Sequence, residues 1–251
     1  MTLDKLLFTF LLLLDSLVVF AQNAPCGSSM FLDQAALSDP AFLQQIAAQD
    51  AAARGFFQNN AMPEYNGSVV TLPVVVHLIH FNGPENLSDA SVQLAVQRLN
   101  EAFANQGYYD QGSGVNVPVR FCLATRAPDG SATTGINRVV SPLTVMTLED
   151  DDFAIKNLSR WDTKRYINIW IVRSICTQAQ GCGIVGYASS PAFHGAGNDG
   201  IVLEANYFNG APATSSPGPH EMGHYLGLYH TFEGGCTNND CLSDGDRVCD
   251  T

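Results

Sequence analysis

The residues best suited to chemistry lie near the C-terminal end of the sequence, where positions 220–230 read HEMGHYLGLYH. His220 and His224 are four residues apart, so on an α-helix both imidazoles project from one face and can bind the same metal ion. Gly227 can adopt the left-handed conformation in which a helix ends, so the chain can turn and bring His230 back as a third ligand. Three imidazoles around Zn²⁺ leave one coordination position open, which is typical of a catalytic zinc site.

Glu221 directly follows the first of these histidines. We expect its carboxylate to face the open position, accept a proton from metal-activated water and later donate one to the leaving amine. Zinc would lower the pKa of that water to about 7 from about 15.7 and would polarise the scissile carbonyl. These parts predict peptide-bond hydrolysis. The alternative is that two surface histidines and a glutamate share a helix by accident, but five specified positions in eleven residues argue against it.

The remaining histidines are predicted to be structural. His77 and His80 lie in an apolar stretch that predicts a buried strand, and His194 lies in a predicted loop. The acidic run at 149–152 is typical of the solvated first turn of a short helix, where negative side chains favour the helix dipole. We therefore expect these residues to stay outside the metal site.

Several strands and a helix precede the histidine motif and must position it. The stretch VVTLPVVVHLIHF from Val69 is typical of a buried strand. Residues 88–107 open with Ser88 as an N-cap and repeat apolar residues at helical spacing, which predicts a helix with one buried face. Further strands are predicted in VPVRFCLATRAP, YINIWIVR, GIVGYA and GIVLEA. This order predicts an α/β or α+β domain over residues 66–251, with a mainly parallel sheet.

The first 65 residues are predicted to lie outside this domain. Residues 1–21 place one lysine before an apolar run and small residues before a cut, which is typical of a secretory signal peptide. A membrane anchor is the alternative, but Asp15 leaves the run shorter than the roughly 20 residues of a spanning helix. Residues 22–65 are rich in Ala, Gln and Asn and form a leader segment. We therefore expect a secreted protein with no stable membrane anchor.

The composition narrows the classes of partner. The chain has 251 residues, 46% of them hydrophobic, so it can bury a sizeable core. It carries 24 Asp and Glu against 12 Lys and Arg, a net charge of −12. Such an acidic chain offers little to a phosphate backbone, so we expect no nucleic acid partner.

Seven cysteines are candidates for disulfides if the protein is exported. Cys176 and Cys182 bracket a short polar stretch, so a local bridge between them is predicted. A cysteine zinc cluster is an alternative for three of the others, although their spacing lacks a CxxC element. These three are Cys236, Cys241 and Cys249. Since seven is odd, one cysteine is left over, and the remaining pairing is open.

The histidine motif resembles that of the metzincin clan of zinc endopeptidases, and the residues after it narrow the resemblance. HTFEGGC and DGDRVCDT are similar to HTFxGGC and GDxVxDT of the pappalysin family, also called cytophagalysin-like or M43 peptidases. TTGINR, YINIWIV, GIVGYA and DGIVLEA extend the similarity over most of residues 69–251. The resemblance implies a metzincin-like fold, in which a twisted, mainly parallel sheet is packed by backing and active-site helices. It also implies protein or peptide substrates that pair with a rim strand near GIVGYA.

Motif and resemblance together predict a secreted zinc endopeptidase precursor. In it His220, His224 and His230 hold the zinc and Glu221 is the general base. The alternative is an exported, non-catalytic binding module derived from a truncated peptidase fold. An intact glutamate argues against that alternative, because a binding module has no need of a general base.

The C-terminal end departs from the resemblance. Metzincins place a methionine-containing turn beneath the zinc after the third ligand, whereas no methionine follows His230 and the sequence stops at Thr251. The methionines are Met1, Met30, Met62, Met146 and Met222. This departure leads us to expect a catalytic domain that is truncated before the Met-turn and incomplete at its C-terminus.

The family resemblance also implies calcium binding beyond the zinc helix. Carboxylates there could supply the hard oxygen ligands that Ca²⁺ prefers, although their spacing does not fit an EF-hand. They belong to Asp240, Asp244, Asp246 and Asp250. A solvated acidic loop is the alternative interpretation.

Cys26 lies in the sequence APCGSSM, a few residues after the predicted signal cut. A cysteine followed by glycine in a leader resembles the cysteine switch of metzincin precursors, in which a thiolate occupies the open zinc position. Thiolate is a strong zinc ligand, and the metal itself deprotonates it. An ordinary disulfide and a lipid anchor are the alternatives. The resemblance makes residues 22–65 a pro-segment, with Arg54 beside Gly55 as a candidate activation cut.

Overall fold

A six-stranded sheet forms the centre of the fold in the computed structural model, which describes residues 26–59, 68–233, 239–240 and 244–247. Its strands are β1 (Val70–His80), β2 (Val119–Leu123), β3 (Ile136–Val140), β5 (Ile167–Val172), β8 (Gly186–Ala188) and β9 (Ile201–Glu204). The order is β2-β1-β5-β9-β8, and β3 also pairs with β1. Only β8 is antiparallel to its neighbour, so the predicted α/β class and mainly parallel sheet are confirmed.

A second, three-stranded sheet corrects one prediction. It contains β4 (Val145–Thr147), β6 (Ser174–Thr177) and β7 (Gly181–Ile184). The predicted single strand GIVGYA is therefore wrong, because its first residues belong to β7 and its last to β8. The predicted Cys176–Cys182 disulfide is present and joins β6 to β7.

Five α-helices lie within the described residues and pack on the two sheets. They are α1 (Ser28–Ser38), α2 (Pro40–Asn59), α3 (Asp89–Phe103), α4 (Leu148–Asn157) and α5 (Pro217–Tyr225). Helix α3 begins as predicted, since the Ser88 hydroxyl accepts a hydrogen bond from the backbone N–H of Ser91 at 3.1 Å. None of the helices in the described part of the chain has the length and apolarity that crossing a membrane requires.

The strand period divides the core into two layers. In β5, Ile169 and Ile171 face the layer that α3 covers, whereas Trp170 and Val172 face the layer that α4 covers. This alternation follows from the two-residue repeat of a strand, which sends successive side chains to opposite faces. Helix α5 packs on the same side as α3 through the fully buried Met222, which fixes the histidine helix to the sheet.

The leader is more closely packed than its composition predicts. Phe31 of α1 and Phe42 of α2 are only 4% and 5% exposed and belong to the α4 layer of the core. Their rings lie 5.1 Å and 4.3 Å from that of Phe193. Two aromatic anchors therefore hold this segment against the domain. The predicted signal peptide at 1–21 lies outside the described residues and stays a prediction.

The structure confirms the predicted structural role of His77 and corrects the prediction for the acidic run at 149–152. His77 is buried in β1, stacked on Trp170 at 5.2 Å, and burial lowers its pKa to about 4, in keeping with a structural role. The acidic run at 149–152 does open helix α4, but its last residue is not solvated as predicted. Asp152 is buried, pairs with the Lys156 ammonium at 2.6 Å and accepts a hydrogen bond from Tyr187 at 2.7 Å.

Candidate active site

Helix α5 carries the first two histidines of the motif. The helix starts with Pro217, whose missing N–H costs nothing in the first turn. His220 and His224 follow one turn apart, with ring centroids separated by 4.6 Å. Gly227 has a φ of +102°, the left-handed conformation that the sequence predicts at this turn. The chain then reverses and places His230 against both helical histidines.

The three imidazoles converge on one point. Nε2 of His224 lies 3.0 Å from Nε2 of His220 and 3.1 Å from that of His230, and the third separation is 3.3 Å. Nitrogen ligands arranged tetrahedrally at about 2.0–2.1 Å from a zinc ion would be about 3.3 Å apart. The spacing of the three nitrogens therefore fits a single metal ion between them.

Hydrogen bonds on the opposite ring nitrogens support the same conclusion. Nδ1 of His224 lies 2.7 Å from the Leu228 carbonyl oxygen, and Nδ1 of His230 lies 3.1 Å from a Glu233 carboxylate oxygen. Because both partners are acceptors, each Nδ1 carries the proton and each Nε2 of a neutral ring presents a lone pair. Two lone pairs 3.1 Å apart repel each other unless a cation lies between them. Such outer acceptors are the usual partners of metal-binding histidines.

The electrostatics of the cluster favour the neutral form of the two histidines on α5. Burial, followed by the neighbouring imidazoles, lowers the pKa of His220 to about 4. Burial also lowers the pKa of His224. Neutral imidazole is the form that binds metal, so these shifts prepare the site for an ion at neutral pH.

Cys26 is the fourth member of the cluster. Its sulfur lies with the three histidine nitrogens in a group whose potential ligand atoms are all within 4.8 Å of one another. Burial, and then the charge of Glu221, raises the pKa of this thiol to about 12. At neutral pH the sulfur is therefore a protonated thiol unless a metal ion displaces its proton.

The backbone beside Cys26 explains why glycine follows it. Cys26 bridges Gly186 of β8 in a parallel arrangement, and the N–H of Gly27 donates to the Gly186 carbonyl at 2.8 Å. A Cβ on Gly27 would lie 2.9 Å from a methyl group of Ile184 and 3.3 Å from the Gly186 oxygen. Only glycine lets the leader approach this strand closely enough to bring the sulfur to the histidines.

Glu221 is fully buried behind the cluster. Ser28 donates a hydrogen bond to its carboxylate at 2.8 Å, and the Ser28 hydroxyl in turn accepts one from the N–H of Ala188 at 3.0 Å. Burial raises the pKa of Glu221 to about 7, against the opposing effect of the Ser28 hydrogen bond. A carboxyl group with this pKa can both accept and release a proton near neutral pH.

Sequence reasoning missed Ser28 and Glu233, although both contact the predicted site. The position of Glu233, three residues after a candidate ligand, could have indicated an outer partner for His230. No pattern in the sequence indicates Ser28, because its contact with Glu221 spans 193 residues.

The predicted calcium ligands are only partly described. One carboxylate oxygen of Asp244 accepts the backbone N–H groups of Asn239 at 2.9 Å and Asp240 at 3.2 Å. Asp250 and the cysteines at 236, 241 and 249 lie outside the described residues. Calcium binding and the pairing of those cysteines therefore stay predictions.

Comparison with known proteins gives consistent matches. The family described as pregnancy-associated plasma protein-A, Peptidase_M43, matches residues 149–251. An extracellular metalloprotease of Pyricularia oryzae is 26% identical over 225 residues, covering 86% of this chain and 66% of the relative. Another, from Verticillium alfalfae, is 32% identical over 124 residues, covering 47% and 40%. The chain thus spans less than two thirds of the length of these curated relatives.

Solved structures from Tannerella forsythia are also similar. A promirolysin mutant aligns with a TM-score of 0.69 at 28% identity, covering 90% of this chain and 75% of that one. Mature mirolysin in complex with a cleaved peptide aligns with a TM-score of 0.61 at 31% identity, covering 73% of this chain and 72% of that one.

Proposed function

Because the chain belongs to the pappalysin-like M43 family of metallopeptidases, we propose that it is the precursor of a secreted zinc endopeptidase. The observation that carries the proposal is the convergence of Cys26, His220, His224 and His230 within 4.8 Å. The predicted signal peptide and the extracellular relatives support secretion.

We propose that His220, His224 and His230 bind the zinc through their converging Nε2 atoms and that Glu221 transfers the proton. Zinc, when bound, supplies Lewis acidity, which acidifies water and polarises a peptide carbonyl. The chain's own contribution is to bring three imidazoles together and to keep a carboxylate beside them. Glu221 can take a proton from the attacking water and return it to the departing amine. This use of a buried acid favours an enzyme over a non-catalytic binding module.

Peptides are the proposed substrates because β8 presents an edge beside the cluster. One side of β8 pairs with β9, and the other side holds Cys26 and Gly27 through the Gly186 carbonyl. Once the leader leaves, these backbone groups are available to an extended peptide, which would add to the sheet as a strand. The related mature mirolysin was solved with a cleaved peptide.

Residues 22–65 are proposed to be a pro-segment that keeps the site closed. Its Cys26 sulfur lies beside the three histidine nitrogens, where it would take the zinc coordination position of the catalytic water. Its Ser28 hydroxyl donates a hydrogen bond to the Glu221 carboxylate, which would otherwise be available to that water. Phe31 and Phe42 anchor the same segment in the core. The alignment with promirolysin extends over more of this chain than that with mature mirolysin, which supports a removable segment.

Metal removal tests the proposed activity. We expect the chain, after limited proteolysis has released the leader, to hydrolyse labelled casein and to lose that activity with 1,10-phenanthroline. Stoichiometric zinc should restore it, because the histidine cluster needs an ion between its lone pairs. The readout is the initial rate of fluorescence release. Hydrolysis that persists after the bound metal has been removed would contradict a metallopeptidase.

Latency should fall in two steps in the uncut precursor. Cys26→Ala removes the sulfur, so a quenched peptide should be hydrolysed without cleavage of the leader. Adding Ser28→Ala should raise the rate further by about tenfold, because a hydrogen bond to a charged group contributes about 1.5–3 kcal/mol. The measurement is the rate per mole of precursor, with its intact mass verified.

A second cysteine and a second serine provide matched controls for this experiment. Cys122 is a free, exposed cysteine, and Ser29 is exposed next to Ser28. Cys122→Ala and Ser29→Ala should leave the precursor as latent as the wild type. Equal latency of wild type and Cys26→Ala would rule out a switch at this cysteine, and equal rates for the single and double variants would rule out a role for Ser28.

A further inference from the structure

Helix α2 is tied to the segment after the histidine motif by one carboxylate. The Tyr229 hydroxyl lies 3.0 Å and 3.1 Å from the two carboxylate oxygens of Asp50. The Arg247 guanidinium forms an ion pair with the same carboxylate. The guanidinium also lies 4.3 Å from the centre of the Tyr229 ring, so the aromatic face holds it in place. Two donors from the domain thus converge on one acid of the leader.

The Asp50 carboxylate and the proposed metal site border the same cavity. Tyr229 directly precedes His230, and a cavity of about 720 Å³ is lined by both residues together with His224 and Arg247. The leader forms the facing wall through residues of α1 and α2, namely Ser28, Ser29, Leu32, Ile46, Gln49, Asp50 and Ala52. Removing the leader would open a groove that leads from the histidines to the guanidinium.

The charges along the cavity favour one place for a carboxylate. Among the described residues that line it, Arg247 is the only lysine or arginine. Glu233 and Asp246 line the same cavity, and they would repel an acid elsewhere in it. Arg247 also has a φ of +61°, a left-handed backbone conformation that few residues other than glycine adopt.

We propose that Tyr229 and Arg247 form a substrate subsite for a carboxylate once the leader has left, and that Asp50 occupies this subsite in the precursor. The inference rests on the proposed peptidase function. It gives the preferred substrates a chemical class, peptides with a carboxylate at a fixed distance from the cleaved bond. That carboxylate belongs either to an Asp or Glu side chain or to the peptide's C-terminus.

Peptides that differ in one charge test the subsite on the processed protein. One set has amidated C-termini and carries Glu or Gln in turn at each position around the cleaved bond. A second set is neutral in its side chains and ends in a free or an amidated C-terminus. We expect one carboxylate position to raise kcat/KM about tenfold over its neutral counterpart, mainly through KM, since a charge-assisted pair aids binding.

Variants assign the preference to these two residues. Arg247→Ala should abolish the tenfold preference, and Tyr229→Phe should reduce it while leaving the ring under the guanidinium. Arg165→Ala is the matched control, because Arg165 also lies over a tyrosine ring, that of Tyr166, but is outside the cavity lining. Should Arg247→Ala fold poorly, Arg247→Glu provides a second test, in which the preference should change from Glu to Lys at the same position.

The outcomes separate this inference from the proposed function. Equal hydrolysis of all acidic and neutral pairs, or a preference that survives Arg247→Ala, would overturn the subsite and leave the peptidase intact. If no peptide is hydrolysed, the proposed function fails, and binding still decides the subsite. In that case the anisotropy of both sets of fluorescent peptides bound to a processed Glu221→Gln variant should show tighter binding of one carboxylate-bearing peptide than of its neutral counterpart, and equal binding throughout both sets would refute the inference.

Discussion

Glu221→Gln in the processed protein is expected to lower peptide hydrolysis by about 10²–10⁴, the usual contribution of a general acid–base group. The amide has nearly the shape of the carboxyl group but cannot take a proton from water. Because Glu221 is not among the residues that offer ligand atoms to the metal, the variant should bind as much zinc as the wild type. The measurements are kcat/KM on a quenched peptide and metal content by elemental analysis.

The stability of this variant separates a catalytic from a structural role. Glutamine has nearly the shape of the carboxyl group and adds no charge, so it should not lower the melting temperature of the processed protein. Glu101→Gln, at the far end of helix α3, is a control that should leave the rate unchanged. Retained zinc with undiminished hydrolysis would remove Glu221 from the mechanism.

His230→Ala should weaken zinc binding itself by about a hundredfold. Structural zinc sites with four ligands bind with about 10–16 kcal/mol, so an average ligand contributes roughly 3 kcal/mol, or about a hundredfold in affinity. The change also leaves the Glu233 carboxylate without its imidazole partner. Competition with a chromophoric chelator gives the dissociation constant directly.

His194→Ala is the matched control for that experiment. His194 is an exposed loop histidine, and only Asp199 is within ion-pair distance of it among the described residues, at 3.7 Å. Its replacement should not change the zinc affinity. An unchanged affinity after His230→Ala would mean that the third ligand lies elsewhere in the chain.

The sheet was predictable because its central strands consist of short runs of apolar, β-branched residues. The β-branched run of β1 and the stretch INIWIV of β5 are buried on both faces, and such runs are typical of central parallel strands. The division of GIVGYA between two sheets was not predictable. It depends on the pairing of β7 with β6 and of β8 with β9, and the residues of GIVGYA do not specify these partners.

The histidine cluster was predictable for a similar reason. His220, His224 and His230 are placed by helical spacing and by one glycine, all within eleven residues. The packing of the leader was not predictable, because it depends on where Phe31 and Phe42 meet Phe193 across more than 140 residues. The contacts of Ser28 with Glu221 and of Asp50 with Arg247 likewise appear only when the leader is folded onto the domain.

Zinc K-edge X-ray absorption of the intact precursor tests whether three histidines and Cys26 share one zinc ion. We expect one zinc per chain with three nitrogen ligands at about 2.0–2.1 Å and one sulfur at about 2.3 Å. In Cys26→Ala, the sulfur shell should vanish while the nitrogen shell remains. Several sulfur ligands would place the zinc in a cysteine cluster. A zinc coordination shell without sulfur in the wild-type precursor would contradict latency through Cys26.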